Sequence, residues 1–189
     1  MERTSFGGQI RESALVIASL ETHIDRLEKM AAVLVGALKG GAKVLTAGNG
    51  GSAAEAMHMA EELIGRFRHN RVPLPALALC ADGTGVTCIA NDFGYEQVFG
   101  RQVEALGREG DVLVVFSTSG QSANLKAAME CARRRKMRVL CLLGKDGGAI
   151  RGMGDVELVV GAAQTERIQE AHQVVMHMLL DAVEKAFPA

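Results

Sequence analysis

With 189 residues, 48% of them hydrophobic and only 4% aromatic, the chain is long enough to bury an aliphatic core without disulfide or metal staples. A net charge of −1 supplies no global field to draw in nucleic acid or an anionic membrane surface. The amino terminus lacks the apolar core of a signal peptide, and no apolar run reaches the ~18 residues that span a bilayer.

In chain order, residues 8–39 read as helical, with Leu20, Ile24, Leu27, Ala31 and Leu34 recurring at alternating four and three. Such a narrow seam suits packing on its own domain or on a helix of another subunit. Gly40-Gly41 stops the helix. A buried strand follows at 43–47, then a tight loop Gly48-Asn49-Gly50-Gly51-Ser52, then a helix over 53–67. Residues 76–79 read as a second strand, and 95–106 as a helix turning Val98, Phe99, Val103 and Leu106 inward. The strand–loop–helix unit recurs with a strand at 111–116, a loop at 117–121 and a helix at 122–136. The basic run Arg133-Arg134-Arg135-Lys136 ends that helix and reads as a cap to its dipole on a solvated face. Strands at 138–143 and 156–160 and a long helix at 165–186 complete the chain.

Short apolar strands alternating with helices specify an α/β fold: a doubly wound, five-stranded parallel sheet covered on both faces. The whole chain, 1–189, reads as one domain with a helical arm over 1–40. In such sheets ligands bind at the carboxyl ends of the strands, where the loops at Asn49 and Ser119 fall. Cys80, Cys88, Cys131 and Cys141 form no C-x-x-C pair and read as reduced, mostly buried thiols of a cytoplasmic protein.

Ser117-Thr118-Ser119-Gly120-Gln121-Ser122 packs four hydroxyls into six residues between a strand and a helix. Hydroxyl donors, a helix N-terminus and a glycine that admits close approach make a neutral cradle for a phosphomonoester. The loop lacks the lysine of a nucleotide-binding P-loop, so it suits a phosphate held rather than transferred. Gly48 to Ser52 is the weaker of the two loops, equally consistent with a glycine-rich turn capped by Ser52. His58 and Glu62 lie i, i+4 on one helical face, while Glu61 points away as a solvated charge. Gln169, Gln173 and His177 form a polar stripe at i, i+4, i+8 on an otherwise apolar last helix, and such a stripe needs partners.

At these residues the chain resembles the phosphoheptose isomerases of the sugar isomerase (SIS) family. The resemblance is carried by Gly48 to Ser52 with Ala56 to Leu63, by Ala90-Asn91-Asp92-Phe93-Gly94, and by residues 107–113. Ser117-Thr118-Ser119-Gly120, Gly144 to Gly148 and Arg167 to His172 add to it, so that it covers residues 8–187. Residues 80–86 depart from the family pattern. The resemblance implies a SIS-type three-layer sandwich, a homotetramer with active sites between subunits, and isomerisation of D-sedoheptulose 7-phosphate to D-glycero-D-manno-heptose 7-phosphate. That reaction opens the synthesis of nucleotide-activated heptose. By the family's motifs Asn49, Gly50, Gly51, Ser52, Asn91 and Asp92 bind substrate, with Glu62 and Gln169 also in contact. Ser117, Thr118, Ser119 and Ser122 hold the phosphate, and Glu62 and His177 form the acid/base pair. His58, Glu62, Gln169 and His177 match positions that hold zinc in some members. Gln169 and His177 stand ~12 Å apart along an ideal helix, so one shared ion requires a distorted helix, three protein ligands with water, or ligands from two subunits.

Two other classes compete with the enzyme. A non-catalytic SIS protein acting through protein contacts keeps the fold but can lose the acid/base pair, which this chain retains. A sugar-phosphate-sensing regulator carries a DNA-binding domain, for which no segment is left over.

Overall fold

The computed structural model describes residues 5–188. Its strands are β1 (Val44–Gly48), β2 (Ala76–Ala78), β3 (Val112–Ser117), β4 (Arg138–Gly144) and β5 (Val156–Val160). They form one parallel sheet in the order β2-β1-β3-β4-β5. The chain winds outward from β1 to β2, crosses back to β3 and winds on to β5. The order therefore reverses between β1 and β3, and the crevice at a parallel sheet's switch point lies at their carboxyl ends.

Alternation along the strands sorts the core into two layers. Val112, Val114 and Phe116 pack with α2 (Ile24–Lys39), α3 (Gly51–Ile64) and α7 (Thr165–Ala186). Leu113 and Val115 pack on the other face with α5 (Gly100–Leu106) and α6 (Ala123–Arg134). Every residue of β1 and β3 is buried, which explains their uninterrupted apolar runs. At the opposite end of the sheet the Asp111 carboxylate accepts from the backbone N–H of Lys43 at 2.9 Å and of Arg108 at 2.8 Å, stitching the starts of β1 and β3 together.

The helical arm is not continuous. A 3₁₀ segment, Ser19–His23, separates α1 (Phe6–Ala18) from α2. There the Ser19 hydroxyl donates to Val16 O at 2.6 Å and the Thr22 hydroxyl to Ser19 O at 2.8 Å, local bonds that compete with the α-helical ladder. The seam is only partly a contact stripe: Leu20 and Leu34 are buried with Met30 and Leu38 in the chain's own core, whereas Ile24 is 52% exposed. No residue of α1 is fully buried, and only Val16 and Ile17 at its end pack against the core.

Two further departures lie beside the cleft. Residues 83–93, without an expected element, form α4 (Gly83–Phe93), started by Asp82, whose side chain accepts from Thr84 N at 3.0 Å. The expected helix over 95–106 is a 3₁₀ turn, Tyr95–Gln97, followed by α5. Its Val98, Phe99 and Val103 are buried, while Leu106 is not. No helix among the described residues is long and apolar enough to cross a membrane.

Candidate active site

β1 and β3 deliver their loops side by side. Asn49, Ser52, Ser117, Thr118, Ser119 and Ser122 line a cleft of about 200 Å³ at the switch point. The loop after β3 is held open by its own hydroxyls: Ser117 Oγ accepts from Gly120 N at 3.0 Å and Ser119 Oγ from Gln121 N at 3.2 Å. A hydroxyl that accepts still has its proton to donate, so both remain donors to a ligand. Ser122 stands at the N-cap of α6 yet makes no capping bond, and Ser52 lies inside α3 rather than capping it, the cap being Gly50. Gly120 is required by the backbone. Its φ is 63°, and a Cβ there would strike the carbonyl of Gly147 in the neighbouring loop.

Asn91 and Asp92 are exposed at the end of α4, bonded to each other at 2.8 Å. The hydroxyl of Tyr95, just beyond them, donates to Asn49 Oδ1 at 3.0 Å and ties that segment to the cleft. Gly50 takes a left-handed φ of 57° where the loop turns into α3. Gly51 is packed against the Gln169 side chain, with no room for a Cβ.

Along α3 the second group assembles. His58 Nε2 lies 3.3 Å from Glu62 Oε1 and 3.9 Å from a Glu61 carboxylate oxygen. Glu61 is exposed, as its spacing predicts, but its carboxylate still reaches toward His58. From α7, Gln173 places its amide 2.6 Å from His58 Nδ1. The His177 ring meets His58 edge-on at 5.3 Å between centroids, and Phe67 stacks on its other side at 5.6 Å. Burial and the neighbouring His58 hold His177 below its ordinary pKa, against the opposing pull of Glu62, so it stays neutral near neutral pH. Arg71 anchors the end of the helix by donating to the carbonyls of Glu62 at 2.6 Å and Leu63 at 2.9 Å.

His58, Glu62 and His177 are thus brought together, while Gln169 sits about two turns before His177 on α7, at Gly51. It is Gln173 that meets His58. Glu55 went unremarked in the sequence: it is 6% exposed, and burial pushes it up to about 7, with only the Ser52 hydroxyl pulling it back. Nothing in its spacing separates it from a solvated charge. His172 is fully buried, its Nε2 bonded to Leu143 O at 3.1 Å, and burial pushes it down to about 4.

The cluster offers a donor set for a divalent ion. His58, Glu61 and Glu62 offer one nitrogen and two carboxylate oxygens within 4.8 Å of one another. As placed, the Gln173 amide nitrogen donates to His58 Nδ1 at 2.6 Å, so Nε2 carries the ring proton toward Glu62; an ion at Nε2 would displace that proton and call for the Gln173 amide to turn its oxygen to Nδ1–H, the outer hydrogen bond that metal-binding histidines use. Imidazole and carboxylate donors suit zinc, and the residues fit.

The SIS domain family profile matches residues 10–144. A phosphoheptose isomerase of Geobacter sulfurreducens is 48% identical over 178 residues, covering 94% of this chain and 94% of that one. Among solved structures, a phosphoheptose isomerase from Neisseria gonorrhoeae superposes with a TM-score of 0.88 at 40% identity, covering 94% of this chain and 95% of that one. One from Francisella tularensis gives 0.89 at 36% identity, covering 95% and 96%. With its cleft at the switch point and its His58–Glu62–His177 cluster in place, this chain belongs to the phosphoheptose isomerase family of SIS-domain proteins.

Proposed function

We propose that the protein is an aldose–ketose isomerase converting D-sedoheptulose 7-phosphate to D-glycero-D-manno-heptose 7-phosphate, the first step toward a nucleotide-activated heptose. The observation that carries this reading is that Glu62, on the helix that begins at a hydroxyl-lined cleft, and His177, from α7, both gather at His58. Ser52 and Glu62 are separated by ~15 Å along an ideal helix, which calls for an extended sugar anchored at one end by its phosphate.

In this reading Ser117, Thr118, Ser119 and Ser122 donate to the phosphate oxygens, assisted by the N-terminus of α6. Asn49 stands beside the phosphate loop where the path of the sugar chain begins, Gly50, Gly51, Ser52 and Gln169 line that path, and Asn91 and Asp92 close over it. Glu62 removes the C1 proton to give a cis-enediol and returns a proton to C2, both carbons lying on one face of a single carboxylate. His177, neutral at working pH, exchanges a proton with O1 or O2. Zinc held by His58, Glu62 and His177 would supply Lewis-acid polarisation of the same oxygens; Gln169, packed at Gly51, would join as a further ligand only from a neighbouring subunit.

The working unit in this reading is a cytoplasmic homotetramer with sites between subunits, each subunit a single SIS domain with its N-terminal arm. Phe6, Ile10 and Leu15 of α1 are 86%, 69% and 71% exposed, apolar surface that a second subunit can cover. Assay of the purified protein on sedoheptulose 7-phosphate beside shorter ketose phosphates tests the reading. Turnover confined to the seven-carbon substrate supports it, and turnover only of shorter ones contradicts it.

A further inference from the structure

Asn49 does not stand alone in the cleft. Its amide meets that of Asn124 in a reciprocal pair, Asn49 Nδ2 to Asn124 Oδ1 at 2.9 Å and Asn124 Nδ2 to Asn49 Oδ1 at 2.8 Å. Asn124, in the first turn of α6, is buried at 3% exposure, and its Oδ1 also accepts from the backbone N–H of Leu125 at 2.9 Å. A backbone N–H can only donate, so this bond decides which end of the Asn124 amide is oxygen. The polarity then propagates. Asn124 Nδ2 must donate to Asn49 Oδ1, Asn49 Nδ2 must donate to Asn124 Oδ1, and the Tyr95 hydroxyl, 3.0 Å from Asn49 Oδ1, must donate as well.

Both acceptor positions of Asn49 Oδ1 are thereby filled, together with one of the Nδ2 hydrogens. What remains is a single N–H, on a side chain that lines the cleft beside Ser117, Thr118 and Ser119. An unanchored asparagine can turn either end toward a ligand. Anchored through Leu125, Asn49 can offer only a donor.

We infer that Asn124 and Tyr95 are positioning residues that lock Asn49 as a hydrogen-bond donor to a phosphate oxygen of the substrate. The inference rests on the reading of this cleft as the phosphate anchor. It also gives the loops a shared geometry, because the amide pair joins the loop after β1 to the first turn of α6 across the switch point and Tyr95 adds the segment after α4.

The test is a double-mutant cycle through Asn49. Asn124→Ala removes both bonds to the Asn49 amide without placing a new charge beside the phosphate, so the Asn49 amide is free to turn its oxygen to the cleft. The expected result is a KM for sedoheptulose 7-phosphate raised about tenfold or more with kcat changed less than about threefold. Inhibition by inorganic phosphate should weaken in parallel. In an Asn49→Ala background the same substitution should change KM by no more than about twofold, since Asn124 acts through Asn49. Tyr95→Phe, at a 56% exposed site, runs the same cycle without risk to the core, with an expected KM rise of about threefold that vanishes in the Asn49→Ala background. Effects that add to that of Asn49→Ala, a KM unchanged in both variants, or a raised KM with unaltered phosphate inhibition would each overturn the inference. Wild-type enzyme in the same assay separates the two readings. If it proves inert toward the sugar the function is wrong, and calorimetric phosphate binding by the variants still decides the role of Asn124.

Discussion

Glu62 combines the features of a proton-transfer base: a half-buried carboxylate beside His58 and His177, on a helix end fixed by Arg71. Glu62→Gln keeps the shape and removes the base. The account expects kcat to fall by about a thousandfold or more, with assembly and thermal stability unchanged. Steady-state kinetics beside a melting curve check it, and a variant that keeps a tenth of the activity would contradict it. In the serine loop, Ser122 makes no capping bond and Ser119 only shapes its turn, so loss of their hydroxyls should cost ligand rather than fold. The double variant Ser119→Ala, Ser122→Ala is expected to raise KM by about tenfold or more, with each charge-assisted bond contributing ~1.5–3 kcal/mol.

Two buried ionisable groups set opposite limbs of the stability profile. His172 has its folded pKa lowered from 6.5 to about 4, so the unfolded chain takes up its proton first as the pH falls. Its contribution is present above 6.5 and lost on the way down to about 4, a swing of about 3 kcal/mol. Glu55 has its folded pKa raised from 4.5 to about 7, so its contribution is present below 4.5 and lost as the pH rises through 7. Glu55→Gln should therefore gain melting temperature relative to wild type on going from pH 5 to pH 8. Melting curves of the two proteins across that range check the sign.

At the scale of elements, most of the architecture was legible because it rests on pattern. β5 and α7 fall where the periodicity puts them, and the other strands within a residue or so, since a buried parallel strand has a composition that few other elements share. What escaped is governed by local bonds. α4 carries two glycines and two threonines among eleven residues and forms behind its Asp82 cap and against the neighbouring core. The break at Ser19–His23 depends on hydroxyl-to-carbonyl bonds that spacing does not announce. The site divides likewise. The serine loop and the His58–Glu62 spacing are visible in one dimension. The partnership of Gln173 with His58, and of Asn124 with Asn49, needs α7 and α6 laid against α3 and β1.

For the whole molecule, the arm and the sheet play different parts. α2 belongs to the chain's own core, whereas α1 leaves Phe6, Ile10 and Leu15 in solvent. Deletion of residues 1–18 is expected to shift the assembly from tetramer to smaller species in light scattering while the sheet core stays folded. An intact tetramer would contradict the assignment of α1 to the interface. The sheet's part is to carry the hydroxyl-lined cleft and the helix bearing His58 and Glu62, and the proposed function has the two act on one sugar through an enediol. The most direct measurement is nuclear magnetic resonance of the wild-type reaction on sedoheptulose 7-phosphate in deuterated water. Aldose phosphate carrying solvent deuterium at C2 is the expected product; no aldose from the folded protein, or unlabelled aldose with Glu62→Gln still active, would contradict the enediol route.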